Sequence, residues 1–423
     1  MTEEVTRVEH IEPASPRGIF RLMFDRDFGI IFWGKLWSTI GVWSHNIVAA
    51  LLTFELTHSA FMVGFVSALQ FAPQLLLNPL SGRLTDLGHG RIQIFTGRFV
   101  CLLGSGGLAL WLTFAPDGYG GALPILVSSL VVGIGFVFGG PAMQSIVPNL
   151  IRPGELKAAM QLNSFPLIIA RAVGPALGAI IIIYVGPIPA FTLAAATHAL
   201  FFVALFAVRF PPAPQQESDA DLSFRSAVRY VVDDRRLAIM MLGIAAVGLG
   251  SEPATTLAPS LARELDGGTA FAGTAATIFG LGALVGLLCL TVSRRWFLTV
   301  RQGPTGLCLM AVGLAFTAAS RWQIVTLVAL AILGIGLTIA MVGLSTIIQA
   351  RAPEHLRGRI MAMWLLCFVG IRPFAALFDG WLADLLNTRS AFAISAAIVL
   401  LIAIANRPGQ IRLPRTDTAR LTQ

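Results

Sequence analysis

Four ionisable residues stand deep inside long apolar stretches, and their spacing puts them at one level. Arg171 lies 14 residues beyond Lys157, Arg372 lies 15 beyond Arg357, Glu252 lies 16 beyond Arg236, and His45 lies 16 beyond Gly29. At about 1.5 Å per helical residue these separations come to roughly 21–24 Å, a little past the middle of a hydrocarbon core about 30 Å thick. A charge at that depth costs roughly 2.5–3.5 kcal/mol on insertion scales, so it persists where it faces protein or a wet cavity. The chemistry open to such a set is ion pairing and proton loading. Glu252 is the candidate proton carrier: burial favours a neutral carboxyl, a nearby arginine favours the carboxylate, and a motion that changes the balance loads or releases a proton. Arg171 or Arg372 is the candidate counter-charge, or the holder of an anionic substrate. His45 is a candidate relay near neutral pH. The bland reading of the same set is a structural charge pair with a packed histidine. Asp379 follows Arg372 by seven residues on one helix face and is a candidate for a gate or mouth.

The elements that position these residues are apolar runs. The chain of 423 residues is 56% hydrophobic and 12% charged, against about 25% charged in a soluble domain. Twelve spans are expected, at 29–55, 61–82, 92–115, 122–147, 158–186, 188–209, 237–262, 270–293, 299–319, 322–349, 358–385 and 388–406. The implied domains are an N-terminal segment over 1–28, a six-helix half over 29–209, a linker over 210–236, a second six-helix half over 237–406 and a tail over 407–423. The linker opens on Pro211-Pro212-Ala213-Pro214, and its later part, from Leu222 to Val232, alternates apolar residues with Arg225 and Arg229 as a surface amphipathic helix would.

Lysine and arginine placement sets the expected orientation. With both termini inside, 25 of the 30 cationic residues fall on the cytoplasmic side, Lys35 (by snorkelling) and Arg98 among them, and only Arg263, Arg321 and Arg389 fall outside. The net charge of +8 therefore reads as topology, not as nucleic-acid binding. Cys101, Cys289, Cys308 and Cys367 all lie in apolar runs without CxxC spacing, as buried small hydrophobes do. The halves also echo one another. Pro153, Leu156, Lys157, Arg171 and Ala190-Phe191 recur as Pro353, Leu356, Arg357, Arg372 and Ala391-Phe392 at offsets of 200 or 201. Parallel six-span repeats point to a transporter whose site lies between the halves near mid-membrane.

Three motifs carry a resemblance to a known family. Gly82-Arg83-Leu84-Thr85-Asp86, with Arg91 five residues on, is similar to the loop signature of the major facilitator superfamily between spans two and three. Ala170-Arg171-Ala172-Val173-Gly174-Pro175-Ala176-Leu177-Gly178-Ala179 resembles its antiporter motif, with the GP-x-x-G core intact and alanines at the flanking glycine positions. Pro353-Glu354-His355-Leu356-Arg357-Gly358-Arg359, then Gly380-Trp381-Leu382-Ala383-Asp384, resembles the drug:proton antiporter branch that contains an enterobactin exporter. The resemblance implies an all-α membrane protein of twelve helices in two pseudo-symmetric halves. It implies a conformational latch at Gly82, Asp86 and Arg91, with a weaker latch or a different partner where Leu87 stands in place of the family's frequent arginine. It implies that Gly174, Pro175 and Gly178 bend and pack span five, as in exporters.

The resulting expectation is proton-coupled efflux of an amphipathic small molecule, a drug or siderophore-like metabolite, from a multi-pass protein of the cell (inner) membrane. Its partners are the substrate, protons and the lipid bilayer; no nucleic acid or cofactor is expected, and the chain is taken as a monomer. No phosphate loop, HExxH or nucleophile elbow occurs, so no ATP-driven or enzymatic reading is supported. The alternatives are an importer or lipid transporter of the same fold, or a sensor that moves nothing.

Overall fold

The structure, a computed structural model, describes residues 17–115, 120–152, 154–210, 224–292, 299–353 and 356–407. Seventeen α-helices make up these residues: α1 (Ile19–Met23), α2 (Arg26–Thr57), α3 (Ala60–Leu84), α4 (Gly90–Phe114), α5 (Leu123–Ile146), α6 (Leu156–Tyr184), α7 (Pro187–Ala204), α8 (Phe224–Asp233), α9 (Arg235–Ser251), α10 (Pro253–Thr256), α11 (Ala258–Glu264), α12 (Gly268–Val292), α13 (Thr299–Ala319), α14 (Gln323–Arg351), α15 (Arg357–Gly370), α16 (Arg372–Leu385) and α17 (Thr388–Ala405). Ten stretches are long and apolar enough to cross a membrane, one of which, Ala60–Phe114, holds both α3 and α4. With α2, which carries Lys35, these form twelve columns in the expected order. The helix ends are capped by polar side chains: Asp25 accepts from the Asp27 and Phe28 N–H groups, Ser59 from Met62, Asp234 from Arg236 and Leu237, and Asn387 from Ser390. Such caps satisfy donors that have no partner within the helix.

Two columns expected as single helices are broken. The seventh splits into α9, α10 and α11, and the eleventh into α15 and α16. Each first break falls where a proline follows a charge, at Glu252-Pro253 and at Arg372-Pro373. The pyrrolidine ring removes an N–H and crowds the carbonyl four residues back, which interrupts the ladder. The sequence therefore places its two paired charges at weak points of their helices.

The two six-helix groups meet mainly through the half of the bundle far from both termini. There α16 lies against α3, and α12 lies against the later half of α6. A Cβ on Gly64 would collide with the Ala376 carbonyl, and one on Gly380 would lie 2.6 Å from the Ala60 carbonyl. One on Gly280 would collide with the Arg171 carbonyl. Close approach of this kind needs small residues, as helix packing in lipid generally does. The seam is also polar. Asp384 at the end of α16 accepts from Ser59 Oγ at 2.5 Å, from the Ala60 N–H at 2.7 Å and from the Phe61 N–H at 3.0 Å. A carboxylate of one half thus caps the first turn of a helix in the other. Among the described residues, no cross-half hydrogen bond of this kind occurs at the end that bears the termini. The closest contacts between the two groups, among the described residues, thus lie toward the distal end.

At the terminal end the first half is tied by Arg17. Its guanidinium pairs with Asp25 and with Glu155, whose Oε2 lies 2.8 Å from Nη2. The Arg17 hydrogen bonds, with backbone donors at Arg152 and Arg17, hold the Glu155 carboxyl down to about 2. Because that value lies below the ordinary 4.5, the stabilisation is complete above pH 4.5 and is lost as pH falls toward 2. Glu155→Gln should therefore speed amide exchange at Leu22 about a hundredfold near neutral pH, as loss of one partner of a buried pair costs roughly 3–5 kcal/mol in full and less in a local opening. The gap to the unaltered protein should close between pH 4.5 and 2.

The linker helix α8 buries Ala227 and Val231 against α9 and α15, as its amphipathic pattern anticipates. Pro211 to Leu222, the side chain of Arg225, the side chain of Lys157, and Pro153, Glu354, His355, Arg294 and Arg295 lie outside the described residues.

Candidate functional site

Glu252 and Arg372 form the centre of the site. Arg372 Nε donates to Glu252 Oε2 at 2.7 Å, with side-chain exposures of 7% and 0%. The pair is thus dry, and one hydrogen bond joins its members. Thr256 Oγ1 lies 3.4 Å from Glu252 Oε1 and 3.4 Å from Ser67 Oγ, so a hydroxyl links the pair to the first half. The Arg372 guanidinium lies 3.7 Å from the centroid of Phe71, also in the first half. Both charges sit at the proline breaks of their columns and together bridge the seam between the halves. In low dielectric, removing either partner leaves an uncompensated charge, worth roughly 3–5 kcal/mol.

Arg171 is near this pair but not bonded to it. Its guanidinium lies 5.1 Å from the Trp43 ring of α2 and 5.9 Å from the Phe279 ring of α12. Its Nε is buried without a hydrogen-bond partner among the described residues. The counter-charge of Glu252 is therefore Arg372, and Arg171 is a second cation beside it. The turn of α6 that follows packs on α2: a Cβ on Gly174 would lie 2.9 Å from the Ile40 carbonyl, and one on Gly178 would lie 2.8 Å from the Ser44 carbonyl. Pro175 stands inside α6, with its carbonyl toward Gly273 of α12. The GP-x-x-G segment thus sets both contacts that hold Arg171 at the seam.

The other expected members lie elsewhere. His45 is buried within the first half, its Nδ1 3.1 Å from Ser105 Oγ and its ring 5.1 Å from that of Phe191. The structure does not bring it to Glu252, because position 45 falls on the face of α2 that meets α4 and α7. Asp379 does not stand at a mouth. It is wholly buried on α16, and its Oδ1 accepts from Ser395 Oγ of α17 at 2.9 Å. Helix-face spacing aligned Asp379 with Arg372 but could not tell which neighbour that face meets. Gly82 has open space around it, and Gly88 turns the chain with φ 85°, a left-handed conformation suited to glycine. Asp86 is exposed and makes no ion pair among the described residues. The Arg91 guanidinium lies 5.4 Å from the Phe210 ring. The three latch residues therefore share one loop region without engaging one another.

Three residues gain importance that sequence reasoning did not give them. Lys35 does not snorkel freely: its Nζ donates to the Asn163 carbonyl and to Asn163 Oδ1, both at 2.7 Å, and Asn163 in turn donates to Gln144. Arg98 belongs inside the bundle, not at the cytoplasmic surface. It is 1% exposed, donates to Ser38 Oγ at 3.2 Å and lies 5.9 Å from the Phe201 ring. Asp384 closes the distal seam. Its signal was present in the Ser59-Ala60 start of α3, a helix whose first N–H groups need acceptors, but the partner came from another half.

Comparisons with known proteins agree with this architecture. A family model described as transmembrane secretion effector matches residues 20–423. The enterobactin exporter EntS of Salmonella paratyphi A is 24% identical over 391 residues, covering 89% of this chain and 90% of that protein. The staphyloferrin A transporter of Staphylococcus aureus is 22% identical, covering 89% and 96%. The multidrug efflux pump Tap of Mycobacterium bovis is 24% identical, covering 91% and 93%. Among solved structures, a D-xylose–proton symporter superposes with TM-score 0.70 at 15% identity, covering 90% of this chain and 97% of that one. A POT peptide transporter bound to sulfate, at 14% identity, gives 0.70 over 96% and 95%.

Proposed function

The chain belongs to the transmembrane secretion effector family of the major facilitator superfamily, and on that premise we propose that it exports an amphipathic small molecule in exchange for protons. The family is one of transporters, not enzymes. The exporting direction is supported by the relatives named for siderophore and drug efflux and by the GP-x-x-G segment at the seam. The observation that carries proton coupling is the single-bonded Glu252–Arg372 pair, dry and placed at two helix breaks. Both members of the pair belong to the half 237–406, so rocking against the half 29–209 acts on them through their first-half neighbours. It moves Ser67, linked through Thr256, and Phe71 over Arg372, and so lets Arg372 part from Glu252. With the pair intact Glu252 is a carboxylate; with Arg372 withdrawn the same carboxyl takes a proton from the opened side.

The protein sits in the cell (inner) membrane with both termini cytoplasmic, a reading supported by the distribution of arginine and lysine. The distal contacts then face outward, and the site is reached from the cytoplasm when the terminal ends of the halves part. Opening of the distal end is accompanied by closure at the terminal end, where Gly82, Asp86 and Arg91 act as the latch. Asp86, free in the present state, engages a helix end or arginine of the other half when the terminal end closes.

Everted vesicles that pump protons inward test the coupling. Amphipathic acids, neutral molecules and amines added outside are expected, for at least one class, to collapse part of the pH gradient only when this protein is present. A panel that leaves the gradient untouched, with folded protein inserted, overturns the reading.

A further inference from the structure

We infer that the transported molecule carries an oxyanion on an apolar or aromatic body, and that Arg171 is the group that binds the oxyanion. The inference rests on the central seam being the substrate path. Arg171, Arg372 and Glu252 sum to a formal charge of +1, and the one carboxylate is already bonded to Arg372. Arg171 is left without a hydrogen-bond or ion-pair partner among the described residues, and its Nε is buried and unmet. Within the first half, nearer its terminal end, Lys35 Nζ meets only the neutral oxygens of Asn163 among the described residues. Asp379 does not correct this surplus, since it faces Ser395 inside the second half.

A half-buried arginine at this depth, with its Nε unmet, is costly. A ligand carboxylate, sulfonate or phosphate removes that cost, because a guanidinium offers two parallel N–H donors to such a group. Trp43 and Phe279, which flank the guanidinium at 5.1 and 5.9 Å, are buried, come from opposite halves and make the surround of Arg171 aromatic and apolar, which suits a ligand whose body is apolar. A cationic ligand meets a net positive site and is rejected. The rival account makes Arg171 a brace that joins the halves by cation–π contact alone. A brace predicts no preference for ligand charge. An exported monoanion also moves down an inside-negative potential.

The test uses three fluorescent probes of one shape: dansyl-glycine, its methyl ester, and dansyl-cadaverine. Binding to the purified full chain in nanodiscs is read by fluorescence. The acid should bind at least about tenfold more tightly than the ester, since a charge-assisted hydrogen bond contributes roughly 1.5–3 kcal/mol, and the amine should bind weakest. Arg171→Gln should erase the acid-over-ester ratio, and Arg171→Lys should retain part of it. Tightest binding of the amine, no binding of the acid at millimolar concentration, or an unchanged ratio in a folded Arg171→Gln protein overturns the inference. Movement of the same probes in proteoliposomes separates it from the transport reading. If the amine is carried, export stands and the oxyanion site falls. If the acid binds selectively but no probe moves under an imposed gradient, the oxyanion site stands and export falls.

Discussion

Glu252→Gln is expected to abolish uphill transport driven by a pH gradient while leaving downhill exchange of substrate in place. The amide keeps the shape of the carboxyl and can accept from Arg372, but it cannot ionise or carry a proton. Loss of the charge also leaves Arg372 buried without a counter-ion, a cost of several kcal/mol that lowers stability. The double substitution Glu252→Gln with Arg372→Gln separates the two effects. It should restore thermal stability toward that of the unaltered protein and should leave coupling absent. Accumulation ratios in proteoliposomes, measured with and without a gradient, check both expectations. Pure loss of folding would instead remove downhill exchange as well, and the double variant would then recover coupling along with stability.

Asp384→Ala should open the distal seal. The carboxylate supplies acceptors to Ser59 Oγ and to the Ala60 and Phe61 N–H groups. Those N–H groups lie in the first turn of α3, where no partner exists within the helix and the helix dipole favours negative charge. Hydrogen bonds to a charged group contribute roughly 1.5–3 kcal/mol, and every 1.4 kcal/mol shifts an equilibrium about tenfold. The distal-open population should therefore rise between about ten- and a hundredfold. An Ala60→Cys reporter, in a background lacking Cys101, Cys289, Cys308 and Cys367, reads this as faster maleimide labelling from the distal side. Asp384→Asn, which keeps one acceptor oxygen without the charge, should fall between the two. Unchanged labelling in a folded Asp384→Ala protein would show that apolar packing at Gly64 and Gly380 closes the seam without it.

The fold was largely legible in the chain because lipid imposes one strong rule. Every spanning segment must be long, apolar and helical, so composition and loop charges marked the twelve columns. Depth arithmetic also put Glu252, Arg171 and Arg372 at one level, since distance along a helix is fixed by its rise. It could not find which way each side chain faced. His45 shares their level but points into the first half toward Ser105 and Phe191. Arg98 was misplaced for the opposite reason: its distance from the loop looked shallow, yet it turns inward to Ser38. Facing depends on which columns pack together, and that is set by small-residue contacts such as Gly178 on Ser44, not by hydropathy. The helix breaks have a signal in the sequence. Glu252-Pro253 and Arg372-Pro373 each announce an interruption, and the two interruptions meet in space to make the ion pair. Asp384 illustrates the remaining limit. A helix start that needs an acceptor is visible in sequence; the residue that supplies it from 325 positions away is not.

Substrate-driven proton movement tests coupling through Glu252 most directly. Vesicles containing the protein and an internal pH-sensitive dye receive a substrate gradient without an imposed pH difference. The unaltered protein should shift the internal pH as substrate moves, and the Glu252→Gln protein, still exchanging substrate, should leave it constant. An equal pH shift from Glu252→Gln would contradict the assignment of the Glu252–Arg372 pair as the proton-coupling centre.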